Sequence, residues 1–209
     1  MAGGLSTAQR YHHQLVSERD NPAWIYLTQE RGLRPFTIKQ WKLGVVATPA
    51  RGHEKYVGRI SIPYFTGLGE YRGLRYRRID GRRPKYEGDP GVQSHLFAPK
   101  YASESLVYVV EGEIDTMTLW QLGLKTVGVP GANHFRKEWA WMFRNADHVV
   151  GVLDGSGDPA AAGQFKAKLA GALKDIVPML TFKQMPEGHD SNSLLVADKR
   201  RLKKLLEVR

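Results

Sequence analysis

Two acidic segments stand directly after strongly apolar runs. Val107-Tyr108-Val109-Val110 leads into Glu111-Gly112-Glu113-Ile114-Asp115, and His148-Val149-Val150-Gly151-Val152-Leu153 leads into Asp154-Gly155-Ser156-Gly157-Asp158. Short apolar runs bounded by glycine read as buried strands, and a helical pattern follows each. In an open parallel sheet, ligands bind beyond the carboxyl ends of the strands. Hard carboxylate oxygens gathered there suit Mg²⁺ or Mn²⁺; Mg²⁺ takes few protein ligands and leaves positions for water and phosphate. Asp115 lies four residues after Glu111, one turn along the same face of a helix. A single acid at such a place reads most simply as a helix cap. Four of them, Glu111, Asp115, Asp154 and Asp158, would repel one another unless a cation offset the charge.

The charge of the rest of the chain says what such a centre would act on. The net charge is +10, with 17 Lys/Arg against 8 Asp/Glu in residues 1–100 and 14 against 13 in residues 101–209. Nearly all the excess lies in the first half, which becomes the candidate surface for a phosphate backbone. Acids at strand ends together with a basic half indicate an enzyme working on nucleic acid through a divalent metal.

Cysteine is absent, which excludes disulfides, cysteine zinc sites and cysteine nucleophiles and fits a reducing, cytoplasmic setting. No signal peptide is evident, and no apolar run approaches the roughly 18–20 residues that cross a bilayer, so no membrane partner is expected.

The elements that must position these residues fall into two groups. Residues 6–31 read as a helix split at Asn21-Pro22, and a short helix is predicted over 35–42. Residues 56–65 and 71–79 alternate as antiparallel strands around a glycine-containing turn at 66–70. In the second of them Arg75 and Arg77 share one face with Gly73. From 104 onward strands at 106–110, 125–129, 148–153 and 178–183 alternate with helices at 113–122, 133–145, 159–174 and 191–207, which argues a parallel sheet. Trp120, Trp139 and Trp141 fall in helical stretches and read as core. Lys199-Arg200-Arg201-Leu202-Lys203-Lys204 reads as a solvated helix face. The fold class is α/β: an α+β lobe over 1–103, and a Rossmann-like domain over 104–209 with a four-stranded, mainly parallel sheet.

Several motifs resemble one family. Val109-Val110-Glu111-Gly112-Glu113-Ile114-Asp115 resembles the E-G-x-x-D motif of the TOPRIM domain. Gly128-Val129-Pro130-Gly131-Ala132-Asn133 is similar to the turn after that domain's second strand. Leu153-Asp154-Gly155-Ser156-Gly157-Asp158 resembles its D-x-D motif, with the aspartates four apart instead of two. Met185-Pro186-Glu187-Gly188-His189-Asp190 resembles the late P-x-G-x-D segment of primases, which makes Asp190 a candidate second-site acid. These motifs alone would leave topoisomerases and nucleases open. The first half narrows the choice: Trp24 to Leu33, Gly58-Arg59-Ile60-Ser61-Ile62-Pro63, Gly73-Leu74-Arg75-Tyr76-Arg77 and Pro84-Lys85-Tyr86 resemble segments of the catalytic core of bacterial DnaG-type primases.

The resemblance implies template-directed synthesis of short RNA primers on single-stranded DNA from ribonucleoside triphosphates. Glu111 would be catalytic, as metal ligand or base. Glu111, Asp115, Asp154 and Asp158 would hold Mg²⁺ or Mn²⁺, with Asp158 preferred over Ser156 because a carboxylate brings charge. Arg59, Arg75, Arg77 and Lys85, with Tyr86, would bind nucleotide or DNA. The family's zinc-binding module and a helicase domain are not found, so an isolated core is expected, phage-encoded or a fragment of a longer protein. A replicative helicase or a separate zinc-binding template-recognition subunit would then be partners. A TOPRIM nuclease and a non-catalytic single-stranded-DNA-binding subunit are the competing readings.

Overall fold

The computed structural model describes residues 2–131, 134–157 and 159–208. It contains two compact units, Met1–Gln93 and Ser94–Arg209.

In the first unit, helix α1 (Ala2–Ser17) buries Ala8, Tyr11 and Leu15. The anticipated break follows: the Asn21 side chain accepts the Trp24 N–H at 2.8 Å and caps α2 (Pro22–Ile25), with Pro22 in the first turn, where a missing N–H costs nothing. The next turn, Tyr26–Glu30, widens into a π-helix before α3 (Pro35–Gln40). Four strands, β1 (Gly44–Val45), β2 (Ile60–Phe65), β3 (Tyr71–Arg77) and β4 (Tyr86–Gly88), form an antiparallel sheet in sequence order. The strand read over 56–65 starts at Ile60, because Glu54–Tyr56 coil into a 3-10 turn. That turn stacks Tyr56 on the Tyr76 ring with centroids 3.8 Å apart. Pro63 is tolerated in β2 because β1 pairs only with Ile60 and Ser61, so β2 is an edge strand by the time it reaches the proline. Helix α1 lies close on β1 at Gly44, where a Cβ would come within 2.5 Å of the Tyr11 backbone.

The second unit alternates as the pattern implies. β5 (Leu106–Glu111), α4 (Glu113–Trp120), β6 (Thr126–Val129), β7 (His148–Leu153), α5 (Pro159–Leu173), β8 (Met179–Gln184) and α6 (Ser191–Leu205) follow in order. The strands are parallel in the spatial order β6-β5-β7-β8. Period-two alternation sends Val107, Val109, Val149 and Leu153 to one face, with Phe165 and Leu169 of α5. It sends Tyr108, Val110, Val150 and Val152 to the other, with Leu119 of α4 and Leu194 and Leu202 of α6. The segment before β5 also packs here: Phe97 pairs with Gly128, and Leu96 and Ala102 enter the core. The chain winds from β5 outward to β6, then returns to the other flank of β5 as β7. The carboxyl ends of β5 and β7 therefore flank a topological switch point, the place where open parallel sheets take their ligands.

One expected helix differs. In place of a helix over 133–145 the described residues form a 3-10 segment, Lys137–Phe143. Trp139 is buried there, but Trp141 is 57% exposed, with Arg144 5.0 Å from its ring centroid. Residues two apart on a tight helix point away from each other, so only one of the two tryptophans can face the core.

Candidate metal centre and basic sheet

Glu111 is the last residue of β5 and Asp154 the first after β7, so the switch point brings the two acids together. Gly112 follows at φ +83°, a left-handed turn that a side chain would strain. Its N–H donates to Val129 O at 2.7 Å, which holds the end of β5 against β6. Burial raises the Glu111 pKa to about 7, and the neighbouring Asp154 charge pushes in the same direction. A half-buried Glu111 carboxylate whose ionisation is hindered by burial and by the Asp154 charge beside it is, with Asp154, a donor set that fits a hard divalent cation.

The Asp154 loop is held from two sides. Asp154 Oδ1 accepts from Ser156 N and Ser156 Oγ, both at 2.7 Å. Gly155 N donates to His189 O at 2.9 Å, and Gly188 N to Gly155 O at 2.8 Å. Ser156 thus orients Asp154 from within the loop. Asp158 lies outside the described residues.

Asp115 and Asp190 have structural partners. Asp115, in the first turn of α4, accepts the Asn192 N–H at 2.8 Å and so binds the start of α6. The Asn192 amide donates to Thr118 Oγ1 at 2.8 Å, and both residues are buried. Asp190 is the N-cap of α6, accepting Ser193 N–H at 2.6 Å, while Ser193 Oγ accepts from Asp190 N at 3.0 Å in a capping box. Among the described residues no three His, Asp or Glu side chains cluster as a metal site. The structure therefore brings Glu111 and Asp154 together, joins Asp115 of α4 to the start of α6, and makes Asp190 the cap of α6.

The basic residues line the first unit's sheet. Arg59 is buried, donates to Glu87 and packs on the Tyr56 ring at 5.3 Å. Arg75 and Arg77 do share a face of β3: their guanidinium carbons lie 4.7 and 5.0 Å from the Tyr86 ring centroid. Arg77 is only 3% exposed. It donates to the Tyr86 hydroxyl and, through Nε at 3.0 Å, to the Tyr26 hydroxyl. Lys85 is exposed at the start of β4.

Sequence reading missed Tyr26, whose oxygen also accepts from Arg31 Nε at 2.6 Å, and Asn192. Neither carries a local signal for its long-range role, since Arg77 lies 51 residues from Tyr26 and Thr118 lies 74 from Asn192. Tyr26→Phe removes an acceptor from the buried Arg77 guanidinium. The expected loss is about 1–3 kcal/mol of stability, the cost of an unsatisfied buried donor, read as a lower urea midpoint. An unchanged midpoint would show that Arg77 does not depend on that hydroxyl.

No protein-family model matches the chain. The Gene 57 protein of Mycobacterium phage D29 is 32% identical over 152 residues, covering 68% of this chain and 93% of that protein. A DNA primase domain from Pseudomonas aeruginosa superposes with a TM-score of 0.77 at 20% identity, over 97% of this chain and 77% of that one. The RNA polymerase domain of Mycobacterium tuberculosis primase DnaG, in complex with a double-stranded DNA oligomer with a 6-nucleotide overhang, gives 0.74 at 21% identity, over 99% and 78%. At these identities the likeness establishes the fold, that of the DnaG catalytic core.

Proposed function

This chain belongs to the same family as the Gene 57 protein of Mycobacterium phage D29 and has the DnaG catalytic-core fold, and from that premise we propose that it is a DNA primase core making short RNA primers on single-stranded DNA. The observation that carries the reading is the pair Glu111 and Asp154, electrostatically coupled at the switch point of a DnaG-like sheet.

The reaction joins two ribonucleotides: a 3′-hydroxyl attacks the α-phosphate of an incoming triphosphate, the bond to the β-phosphate oxygen breaks, and pyrophosphate leaves. Glu111 and Asp154, with Asp158, would hold Mg²⁺ or Mn²⁺, and the metal when bound would supply positive charge against the triphosphate. Glu111 would be catalytic either as a ligand of that metal or as the base that takes the proton of the attacking hydroxyl. Ser156 orients Asp154 through two hydrogen bonds. Asp115 acts one step away, by fixing α6 against α4. Arg75, Lys85 and Tyr86 would meet nucleotide or DNA, while the buried Arg59 and Arg77 would set the shape of that surface. Among the described residues no helix is long and apolar enough to cross a membrane. A zinc-binding template-recognition subunit and a replicative helicase would be the partners that direct the core to its template.

The test is primer synthesis with labelled ribonucleotides, Mg²⁺ or Mn²⁺ and single-stranded DNA. RNA oligomers that require both template and metal are expected. Asp154→Asn and Asp158→Asn should each lower the rate by about 10²-fold or more, as removal of charge-stabilising groups does. Ser156→Ala, which loosens Asp154 without removing charge, should cost less. Cleavage of nucleic acid in place of synthesis would establish the nuclease reading. DNA binding with no metal-dependent chemistry would establish a non-catalytic subunit.

A further inference from the structure

The loop joining β3 to β4 carries Arg77-Arg78-Ile79-Asp80-Gly81-Arg82-Arg83-Pro84-Lys85, five basic residues and one acid. Their surroundings differ. Arg77 is buried against the two tyrosines. Arg78 forks onto the single acid, with Nε 2.8 Å from Asp80 Oδ1 and Nη2 2.7 Å from Asp80 Oδ2. The same carboxylate accepts the Arg82 N–H at 3.2 Å, and Gly81 turns the chain between them at φ +74°. Arg78 N donates to Lys85 O at 2.9 Å, which continues the ladder to the foot of the loop. Asp80 is thus fully engaged in shaping the loop, and its carboxyl is held well below the usual carboxylate range, first by the Arg78 hydrogen bond.

Arg82 and Arg83 remain at the tip. The Arg82 side chain is 77% exposed, and its Nε is 3.8 Å from Asp80, too long for a hydrogen bond. Arg83 beside it is exposed as well. A braced turn that holds two guanidiniums out, next to the exposed Lys85 at its foot, has the make-up of a single-strand grip: fixed cations for successive backbone phosphates. Resting on the nucleic-acid reading above, we infer that the tip of the β3–β4 loop is a phosphate clamp, in which Arg82 and Arg83 each hold a backbone phosphate of single-stranded DNA and Asp80 braces the loop from behind. The contact is to phosphate, so it tightens binding without regard to sequence.

The experiment measures binding of the full chain to a fluorescent oligothymidylate across a salt series, without nucleotides or divalent metal. Each single-strand phosphate contact adds about 0.7 to the slope of log affinity against log salt, so R82A/R83A should flatten the slope by about 1.4. R82K/R83K keeps the charges and should retain most of the wild-type slope. Thermal melting of R82A/R83A should match the wild type, since both side chains are exposed. The control is Lys199→Ala/Arg200→Ala, which removes two exposed charges from α6 and should leave the slope in place. An unchanged slope in R82A/R83A, or an equal flattening in the control, overturns the clamp. A wild type that binds no single strand overturns it as well. A wild type that binds with the expected slopes but makes no primers would sink the primase reading and leave the clamp standing.

Discussion

Glu111→Gln is expected to lower nucleotide transfer by about 10²–10⁴-fold, the range for loss of a positioned acid–base group, and at the same time to stabilise the metal-free protein at alkaline pH. The second effect comes from the rise of the Glu111 pKa from an ordinary 4.5 to about 7 through burial and the Asp154 charge. The fold favours the protonated form. Its stabilising contribution is fully present below pH 4.5 and is lost as pH rises through 7. At pH 8 the wild type carries an ionised Glu111 half-buried beside Asp154, whereas the variant's amide keeps the shape without the charge. The expected gain is about 1–3 kcal/mol at pH 8, shrinking towards zero near pH 5. Urea melts in EDTA at the two pH values measure it. Mg²⁺ should then stabilise the wild type at pH 8 more than the variant, because a bound cation rewards the ionised form. An active variant, or a stability difference that ignores pH, would remove Glu111 from the centre.

Gly155→Ala should be nearly as damaging by a different route. A Cβ at this position would lie 2.3 Å from the carbonyl oxygen of Pro186 and 2.6 Å from that of Met185, both backbone atoms that cannot rotate aside. The two loops would have to part, breaking the bonds from Gly155 to His189 and from Gly188 to Gly155. The expected cost is about 2–4 kcal/mol, and Asp154 would be displaced with its loop. The displacement has its own signature: with Asp154 further away, the Glu111 pKa should fall from about 7, which carboxyl NMR resolves. Gly157→Ala is the contrast, since a Cβ there meets nothing within 4 Å and should be close to neutral. Equal stability of Gly155→Ala and Gly157→Ala, with Glu111 unmoved, would show that the loop contact does not position the acid.

The parallel sheet was legible because strands covered on both faces must be apolar at successive positions, and Val107–Val110 and Val149–Leu153 are. The placement of Glu111 and Asp154 was legible for the same reason: each follows its apolar run with no intervening residue, so chain connectivity carries it to the carboxyl edge. The likeness of the motifs to DnaG-type cores was legible too, and the fold agrees with it. The shared face of Arg75 and Arg77 follows from the period of two in a strand. That period cannot say what covers the face, and the Tyr26 hydroxyl that buries Arg77 comes from 51 residues away. Asp115 shows the same limit. Its spacing from Glu111 is that of a helical turn, but its partner is the Asn192 N–H, 77 residues on. Local pattern therefore decided the elements and put two acids at one sheet edge. Which charges face a ligand and which are spent holding the frame was decided by hydrogen bonds between distant segments, whose geometry exists only once the layers have packed.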